Sequence, residues 1–399
     1  MDEYIDIIKE SPITINYNFD DIIETEIQKK YPPKCEETKN YETVWTPSLN
    51  FKRSKGVIYH PNGFISRDEY EDSSNIVFTA DTFQNQLIDC INGCYSPLLY
   101  ILFKNTLLFI GLSLNDENLR HLLRQNAVIN PGHFHYYVYY IGNGCPDEYQ
   151  MKAIRDSYFE TFNLITLFLD DEGLKELGVL INMSDSEFRD KSINANKNMC
   201  YNFYLTGMPG TGKTSALNSF TSYNVFNEYL DPKPKDINRD DNKMADDKQE
   251  IDLWFLEQFK KKNRRIEANH YLPCIQVIDR TPLDPLAYAE NIKDKKSIMT
   301  NIYKASNKEV ELQKGEIILL DADAKVAYHR LNKRNPGQYG IDFFLTKREK
   351  FKNIFGNSQI IYIDTSNLSV GEVVKRIAYN IYFHPYQEID LEKTFLCYQ

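Results

Sequence analysis

The sequence predicts an α/β chain of two domains, each built on a parallel sheet with helices over its faces. Three observations carry this. Residues 13–169 alternate short apolar, β-branched runs with amphipathic stretches, the pattern of repeated strand–helix–strand units. Residues 183–198 are polar and mark a boundary. Beyond them the apolar run Phe203-Tyr204-Leu205 meets the loop Gly207-Met208-Pro209-Gly210-Thr211-Gly212-Lys213-Thr214, and Ser215-Ala216-Leu217 can continue as a helix. The division expected is a first domain over 1–185, a linker over 186–200 and a second domain over 201–399.

The glycine-rich loop is the most specific feature of the chain. Its glycines let backbone N–H groups turn inward around a phosphate, and the helix start adds partial positive charge. Lys213 can reach the outer phosphates of a nucleoside triphosphate, and the Thr214 hydroxyl can hold Mg²⁺. Gly207, Gly210, Thr211, Gly212, Lys213, Thr214 and Ser215 are therefore the candidate ATP-binding residues. The competing reading is a chance turn at a helix start.

Bulk properties exclude several classes. The chain has 399 residues, 42% of them hydrophobic, which suffices for ordinary cores. Its net charge of −10 argues against non-specific nucleic-acid binding. Seven scattered cysteines without a CxxC pair argue against a disulfide framework or zinc site and fit a reducing, cytoplasmic location. The acidic N-terminus lacks a signal-peptide pattern. The most apolar stretch, residues 98–114, is interrupted by Lys104 and Asn105 and is too short to span a bilayer.

In the first domain, Ile13-Thr14-Ile15 reads as a strand leading to a helix with Ile22, Ile23 and Ile27 on its apolar side, capped by Asp20 or Asp21. Residues 31–55 read as an exposed loop. Val57-Ile58-Tyr59 is a strand that runs into His60-Pro61-Asn62-Gly63, where Asn-Gly signals a turn. Residues 76–78 precede a helix from about Asp81. Residues 106–111 form a buried strand, and Asp116 caps a helix with Leu119, Leu122 and Leu123. Strand 136–141, helix 147–160 and strand 164–169 follow. His133 and His135 read as solvent-facing, with no third metal ligand at a plausible spacing.

Tyr17-Asn18-Phe19-Asp20, the strand ending in His60-Pro61-Asn62-Gly63, and Gly111-Leu112-Ser113 resemble, in order and spacing, three motifs of the sirtuin-like domains. The resemblance covers residues 13–141 and implies a Rossmann-like sheet with Asn18 and Asp20 on the nicotinamide side of NAD and Gly111 and Ser113 near the adenosine ribose. Two departures go with it. Only residues 1–16 precede the Asn-Asp segment, so the family's opening glycine-rich unit is expected to be absent, leaving a partial sheet. The position of its general-base histidine is Asn62, and an amide has no useful basicity. His60, two residues earlier, points to the same side of a strand as Asn62. The expectation is a truncated, catalytically silent sirtuin-like domain.

In the second domain, residues 224–232 read as a strand ending in carboxylates, and 231–250 as a charged loop leading to a helix with Trp254, Phe255 and Phe259. Residues 273–278 form a strand ending in Asp279-Arg280-Thr281-Pro282-Leu283-Asp284. Residues 316–320 are a buried strand, followed by a helix carrying Arg330, Lys333 and Arg334, which Asn335-Pro336-Gly337 shortens. The last strand, 359–363, leads to a helix over 370–382. This order resembles the nucleoside and nucleotide kinase branch of P-loop proteins over about residues 201–385, and implies a three-layer α/β/α fold. The piece from Asp279 to Tyr288 also resembles kinases of small ribosides, including nicotinamide riboside.

The resemblance implies roles. Glu228 or Asp279 orients or deprotonates the acceptor hydroxyl, and the other orders Mg²⁺. Since Arg280 follows Asp279 directly and lowers the basicity of a neighbour, Glu228 is assigned as base and Asp279, with Thr214, to the metal. Arg280 holds the acceptor. Arg330 and Arg334, four apart on one helix face, close over the transferring phosphoryl group. The plain alternatives are a structural ion pair at Asp279-Arg280 and a solvated face at Arg330, Lys333 and Arg334.

The first expectation is thus an ATP- and Mg²⁺-dependent kinase of a small molecule, a nucleoside, nucleotide or riboside, with no membrane or nucleic-acid partner and an oligomer open. Its rivals are a nucleotide-sensing regulator without turnover, and a sirtuin-like NAD-consuming defence enzyme gated by the second domain.

Overall fold

The computed structural model describes residues 2–9, 11–32, 41–46, 56–66, 76–79, 81, 82, 85, 96–142, 144–232, 245–304, 312–356 and 359–397. The fold is mixed α/β with parallel sheets, and the chain divides into two compact units, Met1–Phe188 and Arg189–Gln399. The polar stretch read as a linker carries the helix Asp185–Asn194.

The first unit holds two three-stranded parallel sheets. One has the order β1 (Ile13–Ile15), β3 (Gly56–Tyr59), β2 (Tyr41–Val44). The other has the order β4 (Leu108–Phe109), β5 (His135–Tyr140), β6 (Leu164–Leu169). Strand β2 corrects the reading of 31–55 as loop: Tyr41-Glu42-Thr43-Val44 pairs along β3, with Tyr41 buried. Residues 33–40 and 47–55 of that stretch, and most of the helix expected from Asp81, lie outside the described residues. The strand expected over 106–111 is paired only at Leu108 and Phe109.

Helix Glu117–Ile129 forms as its residues dictate. The Asp116 carboxylate accepts from the backbone N–H of Asn118 at 2.8 Å and of Leu119 at 3.1 Å, satisfying two orphan donors of the first turn. Leu119, Leu122 and Leu123 then fall on one face and pack with Val57, Tyr59, Phe109 and Leu164 in a single core. A side chain as fully buried as Leu123 contributes roughly 1.5–3 kcal/mol. Helix Ile22–Lys30 buries Ile27 but leaves Ile22 exposed, so its apolar stripe is narrower than expected.

His133 and His135 are buried, which overturns their reading as solvent-facing. The His135 Nδ1 accepts from the Leu107 N–H at 3.2 Å, and its Nε2 meets the Asn126 amide at 3.0 Å. Burial, with His133 beside it, pushes the His135 imidazole down to about 3, so it is a neutral core residue.

The second unit is one five-stranded parallel sheet in the order β11-β10-β7-β9-β8: β7 is Cys200–Thr206, β8 Asn224–Phe226, β9 Cys274–Asp279, β10 Glu316–Asp321 and β11 Ile361–Asp364. Strand β10 is buried along its whole length, as its continuous apolar run requires. From the central β7 the chain winds to one side through β8 and β9, then to the other through β10 and β11. The crevice of such a sheet opens beyond the carboxyl ends of its strands, where this winding reverses. Helix Ala324–Arg334 ends at the Asn335-Pro336-Gly337 turn, as expected. Helix Ile341–Phe355 was not legible in the sequence; it buries Phe344, Phe351, Ile354 and Phe355. Residues 233–244 of the charged loop lie outside the described residues, and its last part begins the helix Ala245–Ala268.

Candidate active site

The loop after β7 is packed so tightly that two glycines are obligatory. A Cβ on Gly207, at φ +138°, would lie 2.1 Å from the Leu320 carbonyl oxygen. One on Gly210, at φ +81°, would lie 2.5 Å from that of Ala327. Gly212 is the N-cap of helix Lys213–Leu217. The Thr211 hydroxyl donates to the Met208 carbonyl at 3.0 Å, and the Thr211 carbonyl accepts from Thr365 Oγ1 at 3.0 Å, which ties the loop to the segment after β11. Lys213 is buried, its ammonium donating to the carbonyls of Gly207 at 2.6 Å and Met208 at 3.0 Å. Burial pushes it down to about 8, helped by the charge of Arg280 and opposed by Asp279, Asp284 and Glu228. The Thr214 side chain is exposed, and Ser215 Oγ accepts from Arg334 Nη2 at 2.9 Å.

Beyond β8 and β9 the second half of the site assembles. Arg280 stands at φ +66°, a left-handed conformation that costs a residue with a Cβ roughly 1–3 kcal/mol and so marks a position held by its surroundings. Its backbone N–H donates to the Leu205 carbonyl at 2.9 Å. The guanidinium Nε meets Glu228 Oε1 at 2.8 Å, and Nη1 donates to the Tyr288 hydroxyl at 3.0 Å. Burial works against the charge of Arg280 but is outweighed by Tyr288, Glu228 and Asp284, which hold it well above the ordinary range. The Tyr229 hydroxyl donates to the same Glu228 oxygen. The ion pair of Arg280 is therefore with Glu228 and not with the adjacent Asp279, although its charge still acts on Asp279.

Asp279 and Asp284 are buried carboxylates. Asp284 Oδ1 accepts from Thr206 Oγ1 at 2.7 Å, Thr281 Oγ1 at 2.6 Å and the Thr281 N–H at 3.1 Å. Asp279 Oδ1 and Asp284 Oδ2 have no hydrogen-bond partner among the described residues. Burial raises both carboxyl groups; Lys213 and Arg280 pull Asp279 back, and Arg280 with the two threonines pulls Asp284 back. Orphaned carboxylate oxygens of this kind suit a divalent cation, whose charge would offset their desolvation.

Arg330 and Arg334 do not share a target. Arg330 reaches Thr365 Oγ1 at 3.2 Å and the carbonyls of Thr365, Ser366 and Leu368 at 2.7, 3.3 and 3.4 Å. It braces the segment that, through Thr365, holds Thr211. Arg334 alone contacts the phosphate loop, at Ser215.

Three contributors lay hidden in the sequence. Lys262, within the run Lys260-Lys261-Lys262, is buried and donates to the carbonyls of Asp279 at 2.5 Å, Glu228 at 3.1 Å and Asn227 at 3.3 Å. It holds together the backbones that present both carboxylates. From the same helix, Gln258 Oε1 accepts from the N–H of Leu230 at 3.1 Å and Asp231 at 3.0 Å. Tyr288 flanks Arg280, its ring centroid 5.4 Å from the guanidinium carbon. The only sequence signal for Lys262 is helical spacing from the buried Phe259 and Ile266. Lys262→Met removes the donor from three carbonyls, and urea unfolding should show a loss of about 1–3 kcal/mol. An unchanged midpoint would mean that relief of the buried charge cancels the lost bonds.

In the first unit, His60, Asn62 and Asn18 come together. His60 is fully buried, its Nδ1 donating to the Asn18 carbonyl at 2.8 Å and its Nε2 meeting Glu24 Oε1 at 2.7 Å. With both ring nitrogens engaged, it has none to offer a substrate hydroxyl. Asn62 Nδ2 donates to the Tyr17 carbonyl at 3.3 Å. Asp20 Oδ1 accepts from the Ile22 N–H at 3.2 Å, a turn contact at the helix start. Gly111 and Ser113 are exposed.

Fold and loop define a parallel α/β protein whose second unit carries a glycine-rich loop between a strand and a helix. Residues 12–164 match the model of the SIR2-like domain family. Structures of deoxyadenosine kinase from M. mycoides are similar to this chain: with bound dATP at 15% identity and TM-score 0.35, with products dCMP and a flexible dCDP at 16% and 0.34, and with bound dCTP at 15% and 0.33. Each comparison covers 45% of this chain and 98% of the kinase. No curated protein matches. Among the described residues no helix is long and apolar enough to cross a membrane.

Proposed function

We propose that the second unit binds Mg-ATP on residues 207–215 and transfers the terminal phosphoryl group to a hydroxyl of a nucleoside, nucleotide or related riboside. The observation that carries this reading is the convergence of charge at the strand ends: the Lys213 ammonium on the Gly207 and Met208 carbonyls, the Glu228–Arg280 pair at 2.8 Å, and the orphaned oxygens of Asp279 and Asp284. Phosphoryl transfer asks for positioned charge more than for covalent help. Lys213, released from the Gly207 and Met208 carbonyls, meets the outer phosphates, and Arg334 approaches from the Ser215 side. Thr214 and Asp279 would hold Mg²⁺, which would supply charge neutralisation at the phosphates. Glu228 takes the acceptor proton, Arg280 positions the acceptor, and Arg330 keeps the loop in place through Thr365 and Thr211.

The test is incubation of the full chain with Mg-ATP and a panel of nucleosides, nucleotides and nicotinamide riboside, with products identified by mass spectrometry. A phosphorylated product is expected. ATP binding with no product across the panel would favour the nucleotide-sensing reading instead.

Under the same proposal the first unit is catalytically silent toward NAD. Asn62 lacks basicity, and both nitrogens of His60 are committed to Asn18 and Glu24. Incubation with NAD should release no nicotinamide, and Asn62→His should not create release. Nicotinamide release by the native chain that disappears in Asn18→Ala would sink this claim.

A further inference from the structure

At the opposite end of the second sheet from the phosphate loop, two thiols face each other. Cys200 opens β7 and Cys274 opens β9, and the two residues are direct partners in the parallel ladder. Their Sγ atoms are 3.2 Å apart. The spacing of adjacent strands, about 4.8 Å, lies inside the window of about 4.4–6.8 Å that a disulfide spans between Cα atoms. The surroundings fix one of the pair. Gln276 Nε2 donates to Cys200 Sγ at 2.9 Å and to Asn202 Oδ1 at 2.9 Å, and Gln276 Oε1 in turn accepts from Asn269 at 3.0 Å. Cys200 is buried, whereas Cys274 is partly open to solvent.

We propose that Cys200 and Cys274 form a reversible oxidative modification site, joined in a disulfide by a hydroperoxide. The two thiols differ in role. Cys200 is buried and shielded from peroxide, whereas Cys274 is partly open to it. The Cys274 sulfur takes the distal oxygen, an S–O bond forms, the O–O bond breaks, and water leaves from hydrogen peroxide. The Cys200 sulfur then attacks the Cys274 sulfenic acid. The S–S bond forms, the S–O bond breaks, and the departing hydroxide leaves as water with the Cys200 proton. Two thiols are oxidised and one peroxide is reduced to two waters. Because both cysteines open their strands, the closure needed shifts strand ends and not the sheet interior. The bond would couple β7, which feeds the phosphate loop, to β9, which feeds Asp279.

The inference is independent of the proposed kinase reaction, and its test uses the full native chain. The protein is treated with hydrogen peroxide, free thiols are alkylated, and peptides are mapped by mass spectrometry without reduction. The exposed Cys145 reports that peroxide reached the protein. The expected result is joint loss of the Cys200 and Cys274 thiols, a linked peptide pair short of two hydrogens, and recovery of both thiols with dithiothreitol. Cys200→Ala should instead leave Cys274 as a sulfenic acid that dimedone traps. Oxidation of Cys145 while both thiols stay alkylatable overturns the proposal. So does Cys274 reaching the sulfinic acid with Cys200 still free.

Discussion

Lys213→Ala is expected to lower phosphoryl transfer by about 10²–10³-fold, the cost of removing one preorganised charge from a developing transition state. In the free protein the ammonium is held by the carbonyls of Gly207 and Met208, so it stands beside the loop without needing to be recruited from solvent. Its low proton affinity adds a pH signature. The group is pushed down to about 8, against 10.5 for an unperturbed lysine, chiefly by burial. A bound triphosphate favours the charged form. Above about pH 8 the free protein must take up a proton to bind, and affinity for Mg-ATP should fall as pH rises, by at most roughly tenfold per unit. In Lys213→Ala that slope should flatten. Calorimetry across pH 6.5–9.5 reads both effects, and unimpaired turnover in the variant would mean the loop is not the active site.

Legibility followed the range of the interactions. The glycine-rich loop is contiguous, and its turn is set by residue types at fixed spacing, so its place between strand β7 and helix Lys213–Leu217 could be read from sequence. Asp116 could be named as a cap because its acceptors lie two and three residues away. The Glu228–Arg280 pair could not, since it joins residues 52 apart by number and depends on the left-handed backbone of Arg280. Lys262 and the histidines failed for a related reason. A lysine in a charged run reads as solvated, and His133 and His135 flank a tyrosine-rich strand. Only the tertiary fold shows that Asn126 and the Leu107 N–H, or three strand-end carbonyls, await them. The Cys200–Cys274 pair is the extreme case, since two residues 74 apart meet through strand register alone.

Glu228→Gln should lower turnover by about 10²–10⁴-fold, the usual worth of a general base, while ATP and acceptor still bind. The assignment now rests on access. Burial raises the Asp279 carboxyl, and Arg280 and the Tyr229 hydroxyl both contact Glu228. A base must reach its proton to within about 3 Å, however, and geometry comes before pKa. The Glu228 side chain is 26% exposed, whereas Asp279 is a buried residue. Its contact with Arg280 also suits an acceptor hydroxyl that arrives between the two, displacing part of the ion pair as it is positioned. Asp279, with an orphaned oxygen in the interior, is the better seat for a cation, directly or through water. Asp279→Asn removes the charge and keeps the shape, so it should chiefly raise the Mg²⁺ concentration needed for half-maximal rate. Titrating Mg²⁺ in both variants separates the roles. If Glu228→Gln turns over normally and Asp279→Asn is inactive at every Mg²⁺ concentration, Asp279 is the base and Glu228 serves only to hold Arg280.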